Sequence, residues 1–215
     1  KSMGREFLHV FDEWAEHYDD SVAGNDKEYV EVFRNYDEIL QEVADLSSGK
    51  VIEFGPGTGN LTKKLLIKGL SVVAIEPSST MRKIAESKIK SKNVTFLDGD
   101  FFQFPNDDQI DTIVSTYAFH HLTDQEKLTA VKQYGNLLQF GGKIVFADTM
   151  FINEIAHNEA IKAAESKGFL KLADDLRTEY YPTIPYIEEI LKEHDFVVTF
   201  KRCNQFVWIL HAIKK

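Results

Sequence analysis

Val51-Ile-Glu-Phe-Gly-Pro-Gly-Thr-Gly-Asn60 decides the fold. Its first residues form a short apolar run interrupted by one acid, the signature of a buried strand. Glycines follow at 55, 57 and 59, and a helical pattern starts near Asn60. Glycine permits tight turning and leaves bare backbone for a ligand to approach. The helix N-terminus behind it offers unpaired N–H groups to a carboxylate or phosphate. A strand-to-helix turn that merely needs glycine is the plain alternative, but three glycines at alternate positions in this context point to ligand binding. A dinucleotide fingerprint, G-x-G-x-x-G, would carry its third glycine one residue later.

Outward from this loop, short apolar runs recur at residues 51–54, 72–75, 94–97, 110–115 and 144–147, each followed by a helical pattern. Parallel neighbours need long crossovers, so this alternation predicts a parallel sheet with helices between its strands. Met81, Ile84, Ala85 and Ile89 share a helical face behind the capping candidates Ser78 and Ser79. Thr123 and Glu126 have capping-box spacing, and Gly141-Gly142 ends the helix they begin. Residues 196–201 and 205–213 are strand-like and too close together for anything but an antiparallel pair. The expected fold is α/β, a Rossmann-like three-layer sandwich. Its mostly parallel seven-stranded sheet ends in an antiparallel hairpin. One domain over 1–215 is expected, with two aromatic-rich cap helices within 1–46, a cofactor-binding core at 50–150, a helical insertion at 151–182, and a final helix and hairpin at 183–215.

Composition narrows the function classes. The chain has 215 residues, 43% hydrophobic and 27% charged, as in an ordinary globular protein. Its net charge of −9, with no basic run, argues against a nucleic-acid partner. Cys203 is the single cysteine, which excludes an intramolecular disulfide and a cysteine-based metal cluster. No apolar stretch approaches the ~20 residues of a membrane span. These features lead to the expectation of a cytoplasmic protein, monomer or homodimer, without membrane or nucleic-acid partners.

E-F-G-P-G-T-G-N, then I-E-P-S at 75–78, D-G-D-F at 98–101 and S-T-Y-A-F-H-H-L at 115–122 resemble the successive motifs of class I S-adenosylmethionine-dependent methyltransferases. They come in family order, each at the carboxyl end of a strand, where open α/β sheets bind ligands. With M-G-R-E-F near the start and F-V-W-I near the end, the chain most closely resembles the YrrT-like uncharacterised members. The resemblance implies S-adenosylmethionine as methyl donor, S-adenosylhomocysteine as product and a small-molecule acceptor. It implies that Glu53, Gly55, Pro56, Gly57 and Gly59 surround the methionine portion, and that Glu76, followed by Pro77, receives the ribose hydroxyls. Asp100 would accept from the adenine amino group, although Gly99-Asp100 also suits a turn or cap. Phe101 would border the base, and Thr116 and Tyr117 would lie beside the sulfonium. Tyr18-Asp19 resembles a pair that approaches the cofactor carboxylate. On this reading Glu76→Ala weakens cofactor affinity with little loss of fold.

The acceptor chemistry is less defined. Methyl transfer from a sulfonium chiefly needs alignment of a nucleophile behind the methyl group. His120 and His121 are candidates for a base, or they cap the loop and pack beneath the adenine. Asp148 closes the fifth strand and either orients an acceptor or caps the next segment of chain. No metal site is expected, since adjacent histidines point apart and no third ligand stands out nearby. Arg34 would pair with an anionic acceptor or join a surface salt bridge, and Tyr180-Tyr181-Pro182-Thr183 would line the acceptor pocket or form a plain turn. An NAD-dependent oxidoreductase and a non-catalytic S-adenosylmethionine-binding protein are the competing readings.

Overall fold

The computed structural model describes residues 18–106 and 109–215. The leading segment with Phe7, Phe11 and Trp14 lies outside them. A helix α1 (Tyr18–Val22) and a 3-10 turn (Lys27–Tyr29) precede α2 (Tyr36–Leu46). Where one long second helix was expected, the chain from Ala23 to Asn35 is irregular. Gly24 turns at φ 88°, Asp26 caps the 3-10 turn by accepting from the Glu28 N–H, and Asn35 sits at φ 62°. The aromatic spacing there serves packing: Phe33, Tyr36 and Tyr117 form a contiguous group with centroid separations of 5.0–5.9 Å.

The core alternates β1 (Lys50–Phe54), α3 (Asn60–Ile67), β2 (Ser71–Ile75), α4 (Ser79–Lys88), β3 (Val94–Leu97) and β4 (Thr112–Thr116). A second 3-10 turn (Phe119–His121) and α5 (Asp124–Leu137) lead to β5 (Lys143–Thr149). Helices α6 (Glu154–Ser166), α7 (Leu170–Thr178) and α8 (Ile184–Glu193) then precede β6 (Phe196–Arg202) and β7 (Val207–Lys214). The seven strands lie in the order β3-β2-β1-β4-β5-β7-β6. The first five are parallel, and β7 runs antiparallel to both β5 and β6.

Side chains alternate across a strand, so β1 sends Val51 to one apolar layer and Ile52 and Phe54 to the other. The first layer packs the sheet against α2, α3, α6 and α7; the second packs it against α5 and α8. That is the expected three-layer arrangement. The capping box closes as anticipated: Thr123 Oγ1 accepts from the Glu126 N–H at 3.1 Å and Glu126 Oε1 accepts from the Thr123 N–H at 2.9 Å. At α4 it is Ser78 that caps, accepting from the Met81 N–H.

The strand order reverses beside β1, whose neighbours are β2 and β4. A crevice opens at the carboxyl ends there, because the crossovers leave in opposite directions.

Candidate active site

Gly55, Gly57 and Gly59 all take positive φ, at 64°, 58° and 96°. Their uses differ. A Cβ on Gly57 would meet only Tyr18 Cε2, at 3.9 Å, so its backbone faces open space. A Cβ on Gly59 would come within 2.7 Å of Ile89 Cδ1 and 3.4 Å of Ala85 Cβ, so this glycine lets the start of α3 pack on α4.

Glu76 holds the loop in place. Its carboxylate accepts from the Gly57 N–H at 3.0 Å and from the Ser78 N–H at 2.8 Å, and it is 3% exposed. The acid therefore ties the glycine loop to the β2–α4 turn, which argues that Glu76→Ala would cost stability as well as ligand affinity. Glu53 lies one layer deeper, on the face of β1 toward α3, where the Thr62 hydroxyl donates to it at 2.5 Å. Burial pushes its carboxyl up to about 8, with the nearby Glu76 adding to the rise and Thr62 opposing it.

Between these elements lies a slot of about 50 Å³. Tyr18, Gly55, Gly57, Glu76 and Pro77 line one part of it; Asp100, Phe101, Thr116 and Tyr117 line the rest, with His121 at one end. Glu53, Pro56 and Gly59 stand behind it. Asp100 does form the turn that its sequence context suggested, with Oδ1 accepting from the Phe102 and Gln103 N–H groups at 2.8 Å. The same side chain borders the slot. Tyr117 holds φ 57°, a left-handed conformation that is unfavourable for a bulky side chain.

A second cavity, of about 160 Å³, adjoins the first; Tyr18, Met81, Tyr117 and His121 line both. Parallel pairing of β4 with β5 sets Thr116 beside Ala147, which brings Asp148 to the chain that follows β4. Asp148 then accepts from His120 Nδ1 at 2.8 and 2.9 Å and from the His120 backbone N–H at 2.8 Å. Burial alone would pull His120 down, but the Asp148 carboxylate raises it above the ordinary histidine value. His121 is pulled down by burial and by its charged neighbour.

The far wall comes from α7 and the segment after it: Asp175, Glu179 and Tyr181. The Tyr29 hydroxyl donates to Asp175 Oδ2, and His121 Nδ1 lies 3.5 Å from Glu179 Oε1. Burial raises Asp175, whereas the two histidines bring Glu179 below its usual range against the effect of burial. Lys127, fully buried on α5, donates to the Leu122 and Tyr180 carbonyls at 2.6 and 2.5 Å. These bonds pin the histidine turn to the inserted segment.

Sequence reasoning named His120, His121 and Asp148 separately but missed Asp175, Glu179 and Lys127. Nothing in a polar helix marks one acid or lysine as buried. The metal argument also needs correction, because a third ligand type does stand near: His120, His121 and Glu179 each place one atom within 4.8 Å of the others. Arg34 forms a surface ion pair with Glu31 at 2.7 Å.

A methyltransferase-domain family model matches residues 51–142. An uncharacterized methyltransferase of Bacillus velezensis is 55% identical over 99% of the chain and the whole of the relative. Among solved structures, a chain from the complex of the Haloferax volcanii Trm112 methyltransferase activator with a candidate methyltransferase aligns with a TM-score of 0.68 at 15% identity, covering 94% of this chain and 96% of that one. Magnesium protoporphyrin IX methyltransferase of Synechocystis with bound S-adenosylmethionine aligns with a TM-score of 0.63 at 16% identity, covering 86% and 82%. At these identities the structural likeness is one of fold.

Proposed function

The chain belongs to the class I S-adenosylmethionine-dependent methyltransferase family, and from that premise we propose that it methylates a small molecule held in the 160 Å³ cavity. The observation that carries this reading is the shared wall. Tyr18, Met81, Tyr117 and His121 border both cavities, so a donor in the slot and an acceptor beyond it would meet across these residues. The donor supplies an electrophilic methyl on a sulfonium, and the protein's task is alignment.

The residues fit that donor. Glu76 and Asp100 present carboxylates at the ends of β2 and β3, suited to the ribose hydroxyls and the adenine amino group, and Pro77 and Phe101 border the same slot. Gly55 and Gly57 leave backbone exposed to the methionine portion, with Glu53, Pro56 and Gly59 supporting the loop from behind. Thr116 and the rings of Tyr18 and Tyr117 form the rest of the donor site, and aromatic faces favour the sulfonium charge. One wall of the slot is α1, through Tyr18. It is tethered through Asp19, which accepts from Thr58, Asn60 and Lys88 at 2.8–3.2 Å.

His120 is the base of this reading, with Asp148 as the positioning residue that orients its ring. Nδ1 faces the carboxylate, which leaves Nε2 as the nitrogen able to take a proton from an acceptor. The net charge of −9 supports a small acceptor over a nucleic acid, and among the described residues no helix is long and apolar enough to cross a membrane. Calorimetry with S-adenosylhomocysteine and with NAD, followed by turnover of methyl-labelled S-adenosylmethionine on a metabolite panel, tests the proposal. Micromolar binding of S-adenosylhomocysteine and label in a small product are expected. Methylation confined to a macromolecule, or tight binding without any transfer, would overturn it.

A further inference from the structure

We propose that the acceptor is a small primary or secondary amine that enters as its ammonium ion, selected by Asp175 and Glu179 on the far wall of the second cavity. The inference rests on the methyl-transfer reading above and specifies its substrate.

Charge in the lining is lopsided. Three carboxylates, Asp148, Asp175 and Glu179, share the lining with two imidazoles, His120, which is held by Asp148, and His121. The buried Lys127 lies behind the wall and spends its protons on two backbone carbonyls. Asp148 is engaged by the His120 ring and amide and by the Thr149 N–H, Asp175 by the Tyr29 hydroxyl, and Glu179 by His121 at 3.5 Å. Glu179 Oε2, however, is buried with no hydrogen-bond partner among the described residues. A buried carboxylate oxygen without a donor is costly, and a ligand N–H would relieve it.

The remaining surface fits the same guest. Tyr29, Phe33, Tyr117 and Tyr181 supply aromatic walls. Ring faces attract a desolvated ammonium. A carboxylate or phosphate acceptor would instead meet net negative charge. An alcohol or thiol would satisfy neither the surplus of acids nor the rings. A cavity that combines unmatched carboxylates with aromatic faces discriminates by charge first and by shape second.

The chemistry then balances within the site. The ammonium gives one proton to neutral His120 at Nε2, while Asp148 holds the Nδ1–H. The freed nitrogen lone pair forms the new N–C bond as the C–S bond breaks and its electrons pass to sulfur. The products are S-adenosylhomocysteine and the N-methylated ammonium ion, which carries the charge that left the sulfonium, with the other proton on His120 until it is released to solvent.

The test uses the full chain saturated with S-adenosylhomocysteine. Butylamine, N-methylbutylamine and phenethylamine are titrated against pentanoate, hydrocinnamate, butanol and phenethyl alcohol, and the same compounds are offered with labelled S-adenosylmethionine. At least tenfold tighter binding of amines, and label on nitrogen, are expected. Glu179→Gln should raise KM for an amine about tenfold or more with a smaller change in kcat, and leave S-adenosylhomocysteine affinity within threefold. Failure of all amines to bind, preference for the acids or alcohols, or an unaltered KM in Glu179→Gln would overturn the amine assignment. Failure of S-adenosylhomocysteine itself to bind would instead overturn the underlying methyltransferase site. The comparison among ligands on the wild-type protein stands even if the Glu179 variant misfolds.

Discussion

Removing the Glu76 carboxylate should damage two things at once, and two substitutions separate them. The acid accepts charge-assisted hydrogen bonds from the Gly57 and Ser78 amides at 3.0 and 2.8 Å, in a position 3% exposed. Bonds of this kind contribute ~1.5–3 kcal/mol each, and their loss leaves buried N–H groups unsatisfied. Glu76→Ala should therefore cost about 3–6 kcal/mol. At roughly 2–4 °C per kcal/mol for a chain of this size, the melting temperature should fall by roughly 6–24 °C. Glu76→Gln keeps one acceptor oxygen but turns an amide donor toward the other N–H, so about half of that loss is expected. Its effect on ligand affinity should be larger in proportion. A neutral amide accepts less strongly from ribose hydroxyls, and about 1.5–3 kcal/mol corresponds to a roughly ten- to hundredfold rise in Kd. Scanning calorimetry reads the first effect and titration calorimetry with S-adenosylhomocysteine the second. A Glu76→Ala protein that melts within about 2 °C of the parent would refute the loop-pinning role. An affinity within about threefold in Glu76→Gln would refute the ribose role.

Asp148→Asn should lower kcat by roughly a hundredfold or more, the range of a general-base contribution, and should lower the His120 pKa, measured by imidazole NMR. Asp148 and Glu179 raise His120, while burial and Lys127 oppose them, and His121 packs against it with ring centroids 4.3 Å apart. Because the folded His120 value lies above the unfolded one, its stabilising share is complete below about pH 6.5 and is lost as pH rises through the folded value. The stability gap between parent and variant should thus be widest in mild acid. Glu53→Gln should act in the opposite range. With its folded carboxyl pushed up to about 8 from 4.5, the parent loses stability as pH climbs between those values, so the variant should gain relative to it above pH 8 and show little gain near pH 5 in thermal melts. Lys127→Ala strands two carbonyls and should lower stability by about 2–5 kcal/mol in denaturant titrations, with S-adenosylhomocysteine affinity less affected than turnover.

Local signals carried the fold a long way. Apolar runs, alternating glycines, the Thr123–Glu126 box and the short link before β7 each depend on residues close in sequence, and each appears where its pattern placed it. The fourth strand began two residues late, at Thr112, because Ile110 and Asp111 precede the pairing with β5. At the site, the slot was legible because the motifs that line it sit at strand ends. The second cavity was not, because its contacts span long separations: His120 with Asp148, Tyr29 with Asp175, Lys127 with Tyr180. His120 and Asp148 stood out one by one, but only the register of β4 and β5 makes them a pair. Tyr29, one of the buried aromatics of the leading segment, also uses its hydroxyl. Periodicity reports the buried face of a ring and says nothing of its polar tip.

One small pairing sets how this enzyme can diversify. Phe151 and Thr183 form a parallel bridge, with the Phe151 N–H donating to the Pro182 carbonyl at 3.1 Å and the Ile184 N–H to the Phe151 carbonyl at 2.8 Å. The two ends of the stretch that bears Asp175, Glu179 and Tyr181 are thereby fastened side by side. A segment with adjoining ends can be exchanged, lengthened or shortened with little disturbance to the sheet beneath it. Such a graft would replace much of the far wall while leaving Glu76, Asp100 and the glycine loop in register. Two proteins sharing this frame could then keep one methyl donor and diverge in acceptor, and a chimaera exchanged at residues 151 and 183 should inherit its specificity from the inserted piece.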